Sequence, residues 1–167
     1  MIQTAVSIVW VIFSTLFFGI LAILASLVSR TGNPVHIIAR IWGYSILLVS
    51  RVRVRVTGQE NFDPSRPYIL MSNHQSNFDI PVLLAHLRCQ FRWLAKAELF
   101  RIPVFGRGMR GAGYIPIDRS DRRAAIRSLQ TAAETIRQGS SVMIFPEGTR
   151  SLDGNLRSFK KGGFVLA

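Results

Sequence analysis

No charged side chain occurs between Met1 and Ser29. That absence excludes an ordinary solvated surface for the segment. As a helix, Ile2–Val28 would span roughly 40 Å, against a hydrocarbon core of about 30 Å. The run is much longer than the apolar region of a cleaved leader, about 7 to 15 residues, and it has no basic start, so a retained membrane anchor is expected. Cysteine is also nearly absent. Cys89 is alone, which excludes an intramolecular disulfide and argues against a multi-cysteine zinc site; a buried, inert thiol is its expected role, and no metal site is expected. Acidic residues are few, 9 against 21 lysines and arginines, for a formal net charge of +12 over 167 residues. Such a balance implies an anionic partner, either nucleic acid or an anionic membrane face. The apolar segment favours the membrane. Against nucleic acid stand the spread of arginines along the chain and the lack of interleaved stacking aromatics.

The remaining chain is long enough for one domain. Thr31-Gly32-Asn33-Pro34 is a turn cluster that separates the first apolar segment from a second, Val35 to Ser50, and predicts a helical hairpin over residues 1–50. His36 and Arg40 in the second helix, with Trp42 and Tyr44, also suit an interfacial position, and whether the pair spans or lies in one leaflet stays open. Arg30, Arg40, Arg51, Arg53 and Arg55 follow the anchor, so the positive-inside bias puts residues 51–167 on the cytoplasmic side. The strict alternation from Arg51 to Val56 predicts a strand with valines on its buried face. Beyond it, strand-like segments at Tyr68 to Ser72, Phe91 to Ala95, Tyr114 to Ile117 and Val142 to Phe145 alternate with helical ones at Pro81 to Leu87 and Asp121 to Gln138. That succession predicts an α/β sandwich with a mostly buried mixed sheet. The last helix is the best marked, with Asp121 at its start, a stripe of Ala125, Leu129, Ala132, Ala133 and Ile136, and Gly139 as its stop.

Three polar clusters each follow a short apolar strand, where open α/β sheets build their sites. The first is Asn73-His74-Gln75-Ser76-Asn77-Phe78-Asp79. A histidine and an aspartate five apart across a strand-to-helix turn can hydrogen-bond, giving a general base whose tautomer the carboxylate fixes. No protein nucleophile is needed if the substrate brings a hydroxyl. A capped helix start, with Ser76 or Asn77 as cap, explains the same residues without chemistry. The second cluster joins Gly113 to Arg119, whose planar fork matches phosphate oxygens; a turn glycine and a surface ion pair are the plainer account. The third is Phe145-Pro146-Glu147-Gly148-Thr149-Arg150-Ser151. Arg150, Thr149 and the amides near Gly148 can form a phosphate nest, and Glu147 can accept from a glycerol hydroxyl or orient Arg150, although an ordinary tight turn has the same composition.

Taken together, the three clusters resemble the blocks of the glycerolipid acyltransferase family, whose typical members are 1-acyl-sn-glycerol-3-phosphate acyltransferases. The Asn-His-x-x-x-x-Asp block is matched by Asn73, His74 and Asp79, the second block by Gly113 and Arg119, and the third along its full length by Phe145 to Ser151. Trp93 to Phe100 is similar to the family's stretch between the first two blocks, and order and spacing agree from about Val56 onward. The resemblance implies an enzyme that uses no cofactor. An acyl thioester, on coenzyme A or acyl carrier protein, would be the co-substrate. The acyl group would pass to the sn-2 hydroxyl of 1-acyl-glycerol-3-phosphate to give phosphatidic acid. His74 would be the base and Asp79 its partner, with Arg119, Glu147, Gly148, Thr149 and Arg150 on the acceptor, Lys96 a further phosphate candidate, and Asn73 and Gly113 in support. Membrane lipids, the acyl donor and a lysophospholipid are the implied partners, and nucleic acid is not. Another lysophospholipid acceptor, or a membrane lipid-binding protein without turnover, are the alternatives. The family's fourth block, an apolar strand with a proline, has no counterpart before Ala167. Residues 51–167 are therefore expected to be a partial catalytic domain, poorly stable and weakly active by itself.

Overall fold

With no charge and no proline to interrupt it, the first segment forms a single helix, α1 (Ile2–Val28). The turn at residues 29–32 leads into α2 (Asn33–Val49), whose first turn carries Pro34, where a missing amide hydrogen costs no helical bond. The computed structural model describes residues 1–151 and 153–166, and these fall into two units. One is helical and comprises Met1–Asp63, Asn77–Arg88 and Ile102–Gly113; the other carries the sheet and comprises Pro64–Ser76, Cys89–Arg101 and Tyr114 onward.

In the helical unit α1 and α2 form an antiparallel hairpin. Gln3 Nε2 donates to the Val49 carbonyl (2.7 Å), Trp10 Nε1 to Ser45 Oγ (3.3 Å) and Trp42 Nε1 to Thr15 Oγ1 (3.2 Å), so the few polar groups of the hairpin meet each other along its length. The hairpin packs against α3 (Asp79–His86) and α4 (Phe105–Gly111) through small residues. A Cβ at Gly43 would lie 3.0 Å from the Pro81 carbonyl oxygen and 3.1 Å from Leu84 Cβ, so any larger residue would have to push α2 and α3 apart slightly. Along the rest of α1, Ile8, Ile12, Phe13, Leu16, Ile20 and Leu24 stay exposed, each to about half or more of its area. An apolar row of this length on a charge-free helix fits a hydrocarbon surround.

The alternating segment after α2 forms no strand. Arg51 takes φ 55 and closes α2, its amide bonding the Leu48 carbonyl (3.1 Å) while the Val52 amide bonds Leu47 (2.9 Å), the pattern of a Schellman close. One residue of the alternation is thus occupied in ending a helix, and among the described residues no strand pairs with the rest. The predicted facing survives only in part: Arg51, Arg53 and Arg55 are exposed and Val52 and Val54 half-buried, but Val56, expected on the buried face, is exposed.

In the other unit β1 (Ile69–Met71), β2 (Phe91–Lys96), β3 (Ile115–Ile117) and β4 (Ser141–Ile144) form one sheet of order β1-β4-β2-β3. The α/β class holds, and all three pairings are parallel where a mixed sheet was expected. Residues 91–94 and 141–144 are buried without alternation, as central strands of a parallel sheet require. Helix α5 (Arg122–Arg137) lays its predicted stripe on this sheet, with Ala132 fully buried and Leu129 and Ile136 against Leu94, Ile115, Val142 and Ile144. Asp121 caps it, accepting from the amides of Arg123 (2.8 Å) and Ala124 (3.1 Å). The short helix α6 (Gly162–Val165) follows the last loop. Because α5 carries much of the packing on the sheet, loss of its cap should register globally. Asp121→Ala is expected to cost about 1 kcal/mol, read as a lower midpoint in chemical denaturation with an unchanged slope.

Candidate active site

Parallel strands send their carboxyl ends to one edge of the sheet, and the polar clusters leave from that edge. His74 stands three residues beyond β1, Arg119 two beyond β3, Glu147 three beyond β4, and Lys96 is the last residue of β2.

The backbone of His74 is held at both polar groups. Its amide donates to Glu147 Oε1 (2.8 Å), and its carbonyl accepts from the Ser151 amide (2.8 Å). The imidazole lies flat on Phe145, centroids 4.0 Å apart at 11°, and Phe145 rests on the buried Trp93 at 5.3 Å. Glu147, only 2 % exposed, accepts through its other oxygen from the Arg157 amide (3.0 Å). The amides of Arg157 and His74, in that order, hold its carboxyl below the usual carboxylate range despite burial. The return of the loop is shaped by Asp153, which accepts from Ser151 Oγ (2.8 Å) and from the Asn155 amide and side chain (3.2 Å each); these bonds bring its pKa down to about 2.

Next to this histidine loop is a cationic one. Arg119 Nη1 donates to the Gly148 carbonyl. Gly148 has φ 76, and a Cβ there would lie 2.7 Å from the same nitrogen, so glycine both permits the backbone conformation and leaves room for the guanidinium. Desolvation lowers the Arg119 pKa, with Glu98 acting against it. Glu98 is itself paired with Lys96 (3.2 Å). Thr149 and Arg150 are exposed, and the Arg150 carbonyl accepts from Arg157 Nη1 (3.3 Å). The Lys160 amide donates to Pro146 (2.8 Å), which sets the Lys160 stem near Gly148.

The sheet-bearing unit therefore assembles His74, Arg119, Glu147, Gly148, Thr149 and Arg150 of the sequence-predicted set, with Lys96 at the end of β2 and the exposed Asn73 just before the histidine. Asp79 and Gly113 belong to the helical unit. Asp79 is the half-buried first residue of α3, and Gly113 ends α4, its amide bonding Arg110 (2.9 Å). Arg157, Lys160 and the aromatic seat of Phe145 and Trp93 were not anticipated. The basic Lys160-Lys161 pair was a signal for Lys160 alone; nothing in the sequence marks the main-chain amide of Arg157 or the aromatic seat as supports of the loop.

The family model described as "Acyltransferase" matches residues 53–167, and the chain belongs to that family. Over 133 residues it is 41 % identical to the chloroplastic 1-acyl-sn-glycerol-3-phosphate acyltransferase LPAT1 of Arabidopsis thaliana, covering 79 % of this chain and 37 % of the relative. The human 1-acyl-sn-glycerol-3-phosphate acyltransferase alpha is 36 % identical over 153 residues, covering 91 % and 54 %. Among solved structures, the 1-acyl-sn-glycerophosphate acyltransferase PlsC of Thermotoga maritima superposes with a TM-score of 0.75 at 27 % identity, covering 99 % of this chain and 70 % of that one. The chain spans about a third to a half of the length of the curated relatives it matches.

The depressed Glu147 pKa has a pH consequence. A carboxyl whose folded value lies below its unfolded value of about 4.5 contributes stability that is present above that value and lost as pH falls through the folded one. The wild-type protein is therefore expected to lose more stability than Glu147→Gln on going from about pH 5 to about pH 3, measured as the difference in denaturation midpoint between the two pH values.

Proposed function

We propose that this protein transfers a fatty acyl group from an acyl thioester, carried by coenzyme A or acyl carrier protein, to the sn-2 hydroxyl of 1-acyl-glycerol-3-phosphate, giving phosphatidic acid. The observation that carries this reading is the fixed His74 loop beside Arg119 and the Gly148 to Arg150 turn, one holding a base and the other a set of cations suited to a phosphate.

The acceptor hydroxyl loses its proton to the imidazole as its oxygen attacks the thioester carbonyl. The tetrahedral adduct then collapses with loss of the thiolate, which takes the proton back from the imidazolium. Both reacting groups come from the substrates, so the reaction needs no cofactor. Asp79, five residues along the chain, is assigned to orient the imidazole and to stabilise its charged form. Arg119, Arg150, Lys96 and the Gly148 and Thr149 amides are assigned to the acceptor phosphate, where the charge and fork geometry of arginine count most.

The reading also places the enzyme in a membrane, residues 1–50 holding residues 51–167 at the cytoplasmic face. The exposed apolar row of α1 and the arginines that follow it support this, and substrate, donor and lipid surface would all be anionic.

With a labelled acyl thioester and lysophosphatidic acid, His74→Ala is expected to lower transfer by about a thousandfold while the protein stays folded and membrane-bound; undiminished transfer would remove His74 as base. Arg150→Ala is expected to raise the acceptor KM about tenfold or more with kcat less affected, and a variant with wild-type KM would contradict the phosphate assignment.

A further inference from the structure

Glu147 is a carboxylate on an acceptor-binding loop, and its position in the sequence suggests a hydroxyl or guanidinium partner. The geometry is different. The side chain is buried, Oε1 accepts from the amide of His74 at 2.8 Å, and Oε2 accepts from the amide of Arg157 at 3.0 Å. Four residues later the chain returns to the same histidine, where the Ser151 amide meets the His74 carbonyl. Phe145, two residues before Glu147, lies under the imidazole. One loop thus grips His74 by its amide, its carbonyl and its ring.

We propose that Glu147 is a positioning residue, whose carboxylate fixes the backbone of His74 and so the place of the imidazole, and that it is not a ligand of the acceptor. The inference rests on the reading of His74 as the base. Its physical content is that the Cα frame of a loop residue sets where the side chain can reach, and a displacement of about 1 Å can cost a proton transfer on the order of a hundredfold. Two bridged amides also explain why a carboxylate stands here. A glutamine offers one acceptor oxygen and turns an NH2 towards the second amide. An aspartate is one methylene shorter and cannot span both donors.

The test is steady-state kinetics of Glu147→Gln in the full-length protein, with lysophosphatidic acid and an acyl thioester. A positioning role predicts kcat lower by about ten- to a hundredfold and an acceptor KM within about twofold of wild type. It also predicts that adding Glu147→Gln to His74→Ala brings no further loss, because the base being positioned is gone. A ligand role predicts the reverse split, a raised KM with kcat largely kept and an extra loss in the double variant; either result overturns the proposal. If Glu147→Gln loses its cooperative melting transition, Glu147→Asp, which keeps the charge and can hold one amide, is read against the same two outcomes. Failure of the underlying reading has its own signature, since full transfer by His74→Ala removes the base, whereas an inactive His74→Ala beside an unimpaired Glu147→Gln overturns only the positioning role.

Discussion

The parallel register of β1 on β4 is the constraint on which the candidate site depends. Ile69 faces Val142 and Met71 faces Ile144, so two strands separated by about seventy residues of chain end at the same level. The loops that follow leave the sheet side by side, and His74 and Glu147 meet because each stands three residues past its strand. A shift of one residue would exchange the two faces of β4 and take the Glu147 carboxylate away from the histidine amide. Packing of α5 on Leu94, Val142 and Ile144 opposes such a slip, so the apolar contacts of the sheet determine where the polar atoms of its edge lie.

Charge is divided between two jobs at that edge. The buried Glu147 is satisfied by main-chain amides, which supply partial positive charge without any side-chain freedom to lose on ordering. Arg119 and Arg150 nearby are exposed, where an anion from solvent can reach them. The acid is bonded to the main chain of the loop, while the cations are left facing outward. The scarcity of acids in the chain as a whole is consistent with that separation.

Much of the fold was legible because the relevant patterns were long or chemically marked. The charge-free run specified α1 to the residue, and the stripe of α5 with Asp121 before it and Gly139 after it specified a helix that the structure bounds within a residue or two. The strands were located by apolar content, yet their parallel arrangement depends on partners remote in sequence, which a local pattern does not encode. Arg51 to Val56 shows the converse: its alternation sorted exposed from half-buried side chains as far as Arg55 and failed at the exposed Val56, while strand formation needed a neighbour that is absent among the described residues. In the site, residue types announced the histidine and the cations. The engagement of Glu147 could not be read because its partners are backbone amides, which every residue but proline possesses, and only the folded course of the loop selects those of His74 and Arg157.

The pairing of β1 with β4 also sets an order of events during synthesis. When β1 leaves the ribosome its partner has not been made, and at roughly 5 to 20 residues per second the wait is on the order of 4 to 15 seconds. Through that interval α1 is already available to a membrane, while the loop bearing His74 has neither the carboxylate nor the aromatic ring that later holds it. Attachment to lipid can therefore precede assembly of the edge where the chemistry is assigned, since the contacts that hold His74 can form only once the chain has passed Ser151.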